Sequence, residues 1–233
     1  MTPNALPLTP RGFFITGTDT GVGKTLVACA LLHAFAARGL RVAGMKPVAA
    51  GAALMDGVWV NEDVLQLIAA SNVHAPRDVI NPYCFATPIA PHIAAGLEKT
   101  PIKNSVLREK YQRLSALAEI VVIEGAGGFC VPLNDDETSA DLARALALPV
   151  VLVAGMRLGC LNHALLTAEA IRARGLTLAG WVANHIDASM MHADANVAAL
   201  QARLSAPLIA RIAFNAPPDA AAIAAQFDVR ALL

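Results

Sequence analysis

The residues best equipped for chemistry fall in three short stretches. In Gly17-Thr18-Asp19-Thr20-Gly21-Val22-Gly23-Lys24-Thr25 an apolar run ends in a glycine-rich turn, and Gly-Lys-Thr opens an amphipathic segment. This is the pattern of a phosphate cradle. Glycines let the backbone wrap an anion, and the following helix N-terminus turns free N–H groups and the positive end of its dipole toward it. Lys24 adds a mobile charge for the outer phosphates, and the Thr25 hydroxyl can ligate Mg²⁺. Five residues separate Gly17 from Gly23, where the usual loop has four. The second stretch ends an apolar run at Lys46-Pro47. The third, Ile120-Val121-Val122-Ile123, leads straight into Glu124-Gly125-Ala126-Gly127-Gly128.

Those stretches need a scaffold that brings them to one place. Gly12 to Thr16, Arg41 to Met45, Glu119 to Ile123, Pro149 to Ala154, Leu176 to Ala183 and Leu208 to Ile212 read as strands. Helices are expected over Lys24 to Arg38, Asn61 (as N-cap) to Ala70, His92 to Leu97, Lys103 to Ala118, Thr138 to Leu146, Gly159 to Arg174, Met190 to Leu204 and Ala220 to Phe227. Val48 to Val60 reads as loop, and Ser71 to Pro91 as an irregular, proline-rich connection. Continuously apolar strands alternating with helices imply an α/β fold with a mostly parallel sheet covered on both faces. It is expected as one P-loop NTPase-like domain over residues 1–233, with 1–11 a loose segment. Ligands of such sheets bind beyond the carboxyl ends of the strands, where the phosphate loop, Lys46, Glu124 and Asn184 all fall.

Other roles have less support. With 56% hydrophobic and 15% charged residues a large core is available, and disorder is not expected. Lys+Arg and Asp+Glu both number 18, so nothing in the charge favours nucleic acid or a membrane surface. The first ten residues carry three prolines and no signal-peptide pattern, and no apolar run is long enough to span a bilayer. Cys29, Cys84, Cys130 and Cys160 form no C-x-x-C pair, which points to a reducing, cytoplasmic setting.

Several candidates keep a plain reading beside the functional one. Lys46 could be a surface lysine before a turn, and Asp63 need only complement a helix dipole. Glu124 at a strand end suits Mg²⁺, held directly or through water, and its glycines allow a ligand to approach the backbone. Asn184 and His185 could read a nucleobase edge or simply form a turn. Gly159-Cys160-Leu161-Asn162 could bind an anion through helix N–H groups or merely start a helix.

In combination these residues resemble one family. Thr16 to Thr25 with its five-residue spacing, Lys46-Pro47-Val48 followed by Gly51, Asn81-Pro82-Tyr83, Pro91-His92, Glu124 to Gly128, Leu158 to His163 and Gly180 to Asn184 look, in order, like dethiobiotin synthetases. The resemblance covers about Gly12 to Ile212. It implies a homodimeric ligase of biotin biosynthesis that uses ATP and Mg²⁺ to convert 7,8-diaminononanoate and CO₂ to dethiobiotin. The route runs through a carbamate and a carbamic-phosphoric anhydride. It also implies that Lys46 is the catalytic lysine and that Lys24 and Thr20 contact the phosphates or carbamate. Gly21, Val22, Gly23, Lys24, Thr25, Leu26, Asp63, Glu124, Gly125, Ala126, Gly127, Asn184 and His185 would bind ATP, with Thr25, Asp63 and Glu124 at the metal. Lys46, Ala50, Gly159, Cys160, Leu161 and Asn162 would bind substrate, the helix start serving the neighbouring subunit. The family pattern has a hydroxyl residue at position 50, His185 stands where Asp is frequent, and Ala213-Phe214-Asn215 matches loosely.

Two other classes are open. Nucleotide-switch ATPases of the partitioning and septum-positioning type carry a second lysine five residues before the loop lysine, where this chain has Asp19. Cobyrinate-type amide ligases would need a glutaminase domain, for which no length remains after Ile212.

Overall fold

The computed structural model describes residues 12–214 and 219–232. The expected loose segment 1–11 and Asn215 lie outside them. In chain order the elements are β1 (Gly12–Gly17), α1 (Lys24–Ala36), β2 (Val42–Met45), β3 (Val48–Ala50), β4 (Ala53–Met55), β5 (Val58–Val60), α2 (Glu62–Ala70), α3 (Arg77–Ile80), β6 (Tyr83–Phe85), α4 (Pro91–Leu97), α5 (Asn104–Ser115), β7 (Ile120–Glu124), α6 (Ser139–Leu146), β8 (Val150–Met156), α7 (Cys160–Ala173), β9 (Leu178–His185), α8 (Ala193–Gln201), β10 (Leu208–Ile212) and α9 (Ala220–Ile223), followed by short 3₁₀ turns over Ala224–Gln226 and Val229–Leu232.

Six strands form one sheet in the order β10-β9-β8-β1-β7-β2, and every pairing in it is parallel. All residues of β1, β7 and β8 are buried, which explains their unbroken apolar sequences: both faces of the sheet are covered. Alternation along a strand sends neighbours to opposite layers. Phe13 and Ile15 join the core under α1, where Phe13 stacks on Phe35 with ring centroids 5.6 Å apart, while Phe14 faces the core under α5 and α6. Each such large side chain contributes about 1.5–3 kcal/mol on burial.

The chain moves from β1 out to β2, returns to fill the gap with β7, then continues on the other side with β8 to β10. The switch in direction falls at β1, so the phosphate loop leaves the sheet at the place where such folds open a crevice.

Three expectations change. Val48 to Val60 is not simply loop: β3 pairs in parallel with β6, and β4 and β5 form an antiparallel hairpin. Its turn residues Asp56 and Gly57 both have positive φ, as a two-residue I′ turn requires. The connection from Ser71 to Pro91 contains α3 and β6. Asn61 precedes α2, but its side chain makes no cap; its amide donates to the Ala50 carbonyl at 3.2 Å. Among the described residues no helix is long and apolar enough to cross a membrane.

Candidate active site

The phosphate loop runs from the end of β1 into α1. Gly23 takes φ of 90°, and a Cβ there would lie 2.2 Å from Asn184 Nδ2, so both backbone angle and space require glycine. No side chain caps α1, and its first turn holds no acid, which leaves the positive helix end facing the cavity. The loop is stitched to the sheet. Thr18 N donates to the Val153 carbonyl at 3.0 Å, Gly155 N donates to Thr18 Oγ1 at 3.2 Å, and Asn184 Nδ2 donates to the Val22 carbonyl at 2.8 Å.

Lys24 is 6% exposed, and its Nζ donates to the Asp19 carbonyl at 2.9 Å. Burial, with Lys46 adding repulsion, lowers its pKa to about 8. An ammonium destabilised in this way gains from an arriving phosphate.

Lys46, 5% exposed, is no surface lysine. Its backbone N–H donates to the Ile80 carbonyl at 2.9 Å, and Asn81 Nδ2 donates to its carbonyl at 2.7 Å and to that of Tyr83 at 2.9 Å. Asn81 stands in the Asn81-Pro82-Tyr83 motif of the resemblance but is given no site role there. The side chain of Lys46 reaches Asp63 Oδ2 at 2.8 Å and Glu124 Oε1 at 2.5 Å. Asp63 arrives because Gly44 of β2 lets α2 pack close: a Cβ there would sit 2.9 Å from Leu67 Cβ. Glu124 ends β7, beside Ile15 of β1, and Thr25 Oγ1 donates to its Oε1 at 2.9 Å.

Burial works against the Lys46 ammonium, but Glu124 and Asp63 outweigh it and hold it above the usual lysine range. Burial raises the Glu124 carboxyl against the pull of Lys46. We place the pair as ammonium and carboxylate, since Oε1 accepts from two donors at once. Burial also opposes Asp63, yet Lys46 holds it below the ordinary carboxylate range.

These groups open on a cavity of about 760 Å³ lined by Thr20, Gly21, Gly23, Lys24, Thr25, Lys46, Ala50, Asp63, Glu124, Ala126 and Gly127. Val48, Val131 and Pro88 to Pro91 also line it; the sequence reading puts Val48 in a loop and Pro88 to Pro91 in the irregular connection, and assigns Val131 nothing. The other candidates lie elsewhere. Val22 is buried in the core and Leu26 packs against it, so these two can offer a ligand only backbone groups. Gly125 spends its N–H on the Ile15 carbonyl at 2.9 Å. Asn184 is buried, with its amide committed to the loop. His185 borders a separate cavity of about 400 Å³ with Asp187, Arg211 and Phe214. Its Nε2 accepts from Arg211 Nε at 3.2 Å, and burial together with Arg211 lowers its pKa. Gly159, Cys160, Leu161 and Asn162 start α7 and line neither cavity.

Among the described residues no cluster of three or more His, Cys, Asp and Glu is built for a metal. The hydroxyl and carboxylates of Thr25, Asp63 and Glu124 nonetheless converge, and Glu124 Oε2 is buried without a hydrogen-bond partner. An all-oxygen donor set with a spare carboxylate oxygen fits Mg²⁺.

A family model described as an AAA domain matches residues 11–222. The ATP-dependent dethiobiotin synthetase BioD of Aromatoleum aromaticum is 56% identical over 217 residues, covering 93% of this chain and 96% of the relative. Two solved structures share the fold. A ParA family ATPase from Chlorobium tepidum has a TM-score of 0.54 at 12% identity, covering 89% of this chain and 85% of that one. MinD in the MinC:MinD complex of Aquifex aeolicus has a TM-score of 0.52 at 15% identity, covering 88% and 82%. The partition-type ATPases thus share the architecture, while the sequence match over nearly the whole chain lies with the ligase: the chain belongs to the dethiobiotin synthetase family.

Proposed function

We propose that the protein is an ATP-dependent cyclo-ligase of biotin biosynthesis that converts 7,8-diaminononanoate, CO₂ and ATP to dethiobiotin, ADP and phosphate. The observation that carries this reading is the meeting of Lys24, Lys46, Asp63 and Glu124 on one cavity at the phosphate loop. Two ammonium groups beside a helix N-terminus suit a transferred phosphoryl group, whose charge develops in the transition state.

One substrate amine adds to CO₂ and loses a proton to give a carbamate. A carbamate oxygen attacks the γ-phosphorus of ATP, and ADP departs. The second amine then attacks the carbamoyl carbon of the mixed anhydride; phosphate leaves as the ring closes, and the nitrogen gives up a proton that the departing phosphate can take. Backbone N–H groups of Gly21 to Thr25 and the Lys24 ammonium hold the triphosphate. Lys46 orients and neutralises the carbamate and the phosphoryl oxygens. Thr20 lies at the cavity wall, where its hydroxyl can donate to either. Thr25, Asp63 and Glu124 would hold Mg²⁺, which supplies charge neutralisation at the phosphates. The apolar wall of Val48, Ile89 and Val131 suits the methylene chain of the substrate and limits water beside the anhydride.

In this reading Asn184 and His185 would serve the adenine base. Gly159 to Asn162 would meet the substrate carboxylate of a neighbouring subunit, which makes the enzyme a homodimer in this reading. We take the chain as one ligase domain acting in the cytoplasm, supported by four free cysteines. The test is to mix protein, diaminononanoate, bicarbonate, ATP and Mg²⁺ and seek dethiobiotin by mass. Phosphate release independent of the diamine would overturn the assignment in favour of a nucleotide switch.

A further inference from the structure

The stretch Asp19-Thr20-Gly21 is the part of the phosphate loop that the sheet does not hold directly. Thr18 is bound to β8, and Val22 is bound by Asn184 from β9. Between them, the hydrogen bonds of the loop converge on Asp19. Its Oδ1 accepts from Thr20 N at 2.7 Å, and its carbonyl accepts from Lys24 Nζ at 2.9 Å. Its Oδ2 pairs with the guanidinium of Arg157, one residue beyond β8. A carboxylate here is chemically odd. An unneutralised anion in a phosphate cradle repels the ligand that the loop is built to hold.

We propose that Arg157 is a positioning residue that acts through Asp19, neutralising its carboxylate and clamping the longer loop so that the Asp19 carbonyl and Lys24 stay aligned for the triphosphate. The longer loop has an extra residue to immobilise, and the clamp ties that stretch to β8. Both side chains are about half exposed, at 43% for Arg157 and 46% for Asp19. The pair therefore adds little to global stability, and its loss leaves the protein folded. The inference rests on the nucleotide reading of the loop.

The test measures ATP binding to the full-length protein by calorimetry with Mg²⁺ present, for native protein, Arg157→Ala, Arg157→Lys, Asp19→Asn and the double variant Arg157→Ala/Asp19→Asn. Arg157→Ala leaves Asp19 bare and should weaken ATP about tenfold, the size of one unscreened charge at a partly solvated distance. Asp19→Asn alone should cost about threefold, and Arg157→Lys should stay near native. The double variant should bind more tightly than Arg157→Ala alone, because the repelling charge is gone. Thermal midpoints should stay unchanged throughout. Equal Kd for native and Arg157→Ala would overturn the clamp. A double variant as weak as Arg157→Ala would also overturn it, since Arg157 would then be touching the phosphates itself. Native protein that binds no ATP would overturn the nucleotide reading as well, so the two failures are distinguishable.

Discussion

Lys46 Nζ lies 2.5 Å from Glu124 Oε1, with 5% and 1% of the two residues exposed. A charge pair this deep is costly to assemble and costlier to break, because removing one partner strands the other. Lys46→Met and Glu124→Gln should each destabilise the protein by about 3–5 kcal/mol. The double variant Lys46→Met/Glu124→Gln should recover most of that loss. Urea unfolding of the four proteins checks this; additive losses would mean that the two groups do not depend on each other.

The same ammonium touches two of the three candidate metal ligands. Lys46→Ala should therefore bind a divalent cation more tightly, since it removes a competing cation from Asp63 and Glu124, while ATP still binds. Dethiobiotin formation should fall by about 10²–10³-fold or more, the usual effect of deleting one group that stabilises transition-state charge. Mn²⁺ titration followed by electron paramagnetic resonance reads the first effect, and product mass the second. Unchanged turnover would remove Lys46 from the mechanism.

Lys24 gives a pH signature. Its pKa is lowered to about 8 in the fold, against an ordinary 10.5. Between those values the unfolded chain holds a proton that the folded chain has released, so stability rises with pH across this window. Phosphate binding needs the ammonium, so ATP affinity should fall as pH rises above about 8. Lys24→Met should bind ATP weakly at every pH and lose both slopes. Calorimetry from pH 7 to 10 decides the matter.

Gly23 and Asn184 should be coupled. Gly23→Ala incurs a left-handed φ, worth about 1–3 kcal/mol, and a clash with the Asn184 amide. Adding Asn184→Ala removes the clash but not the strain, and by itself gives up the hydrogen bond to the Val22 carbonyl. Gly23→Ala should thus lower the thermal midpoint less when introduced into Asn184→Ala than into the native protein. An equal cost in both backgrounds would place the whole penalty in the backbone.

The main sheet was legible because fully buried parallel strands carry unbroken apolar sequence, as Val150 to Met156 does. The phosphate loop was legible because its glycines and lysine sit side by side in the chain. What escaped depends on partners far away. Val48 pairs with Tyr83, and no local pattern encodes that contact. Asn61 has the side chain of an N-cap, but the Ala50 carbonyl captured its amide. The Asp56-Gly57 turn was visible in principle, yet its three-residue strands are exposed and too short to alternate. Lysine is mostly a surface residue, so the burial of Lys46 could not be read from its own neighbourhood. It took two acids, one 17 and one 78 residues away, to make that burial tolerable.

Ala50 lines the active cavity at the position where the resemblance expects a hydroxyl. A methyl neither donates nor accepts a hydrogen bond, so a substrate amine or carbamate held against residue 50 would find no partner in its side chain. Ala50→Ser adds a single oxygen and leaves the backbone bond from Asn61 to the residue 50 carbonyl in place. One new hydrogen bond is worth about 0.5–1.5 kcal/mol. KM for the diamine should accordingly fall by about 2–10-fold, with KM for ATP unchanged, because in the proposed reading the phosphate loop and not residue 50 holds the nucleotide. Steady-state kinetics with each substrate varied in turn reads the two constants separately. A lowered KM for ATP alone would move residue 50 to the nucleotide side of the cavity, and no change in either would show that the substrate never comes within reach of it.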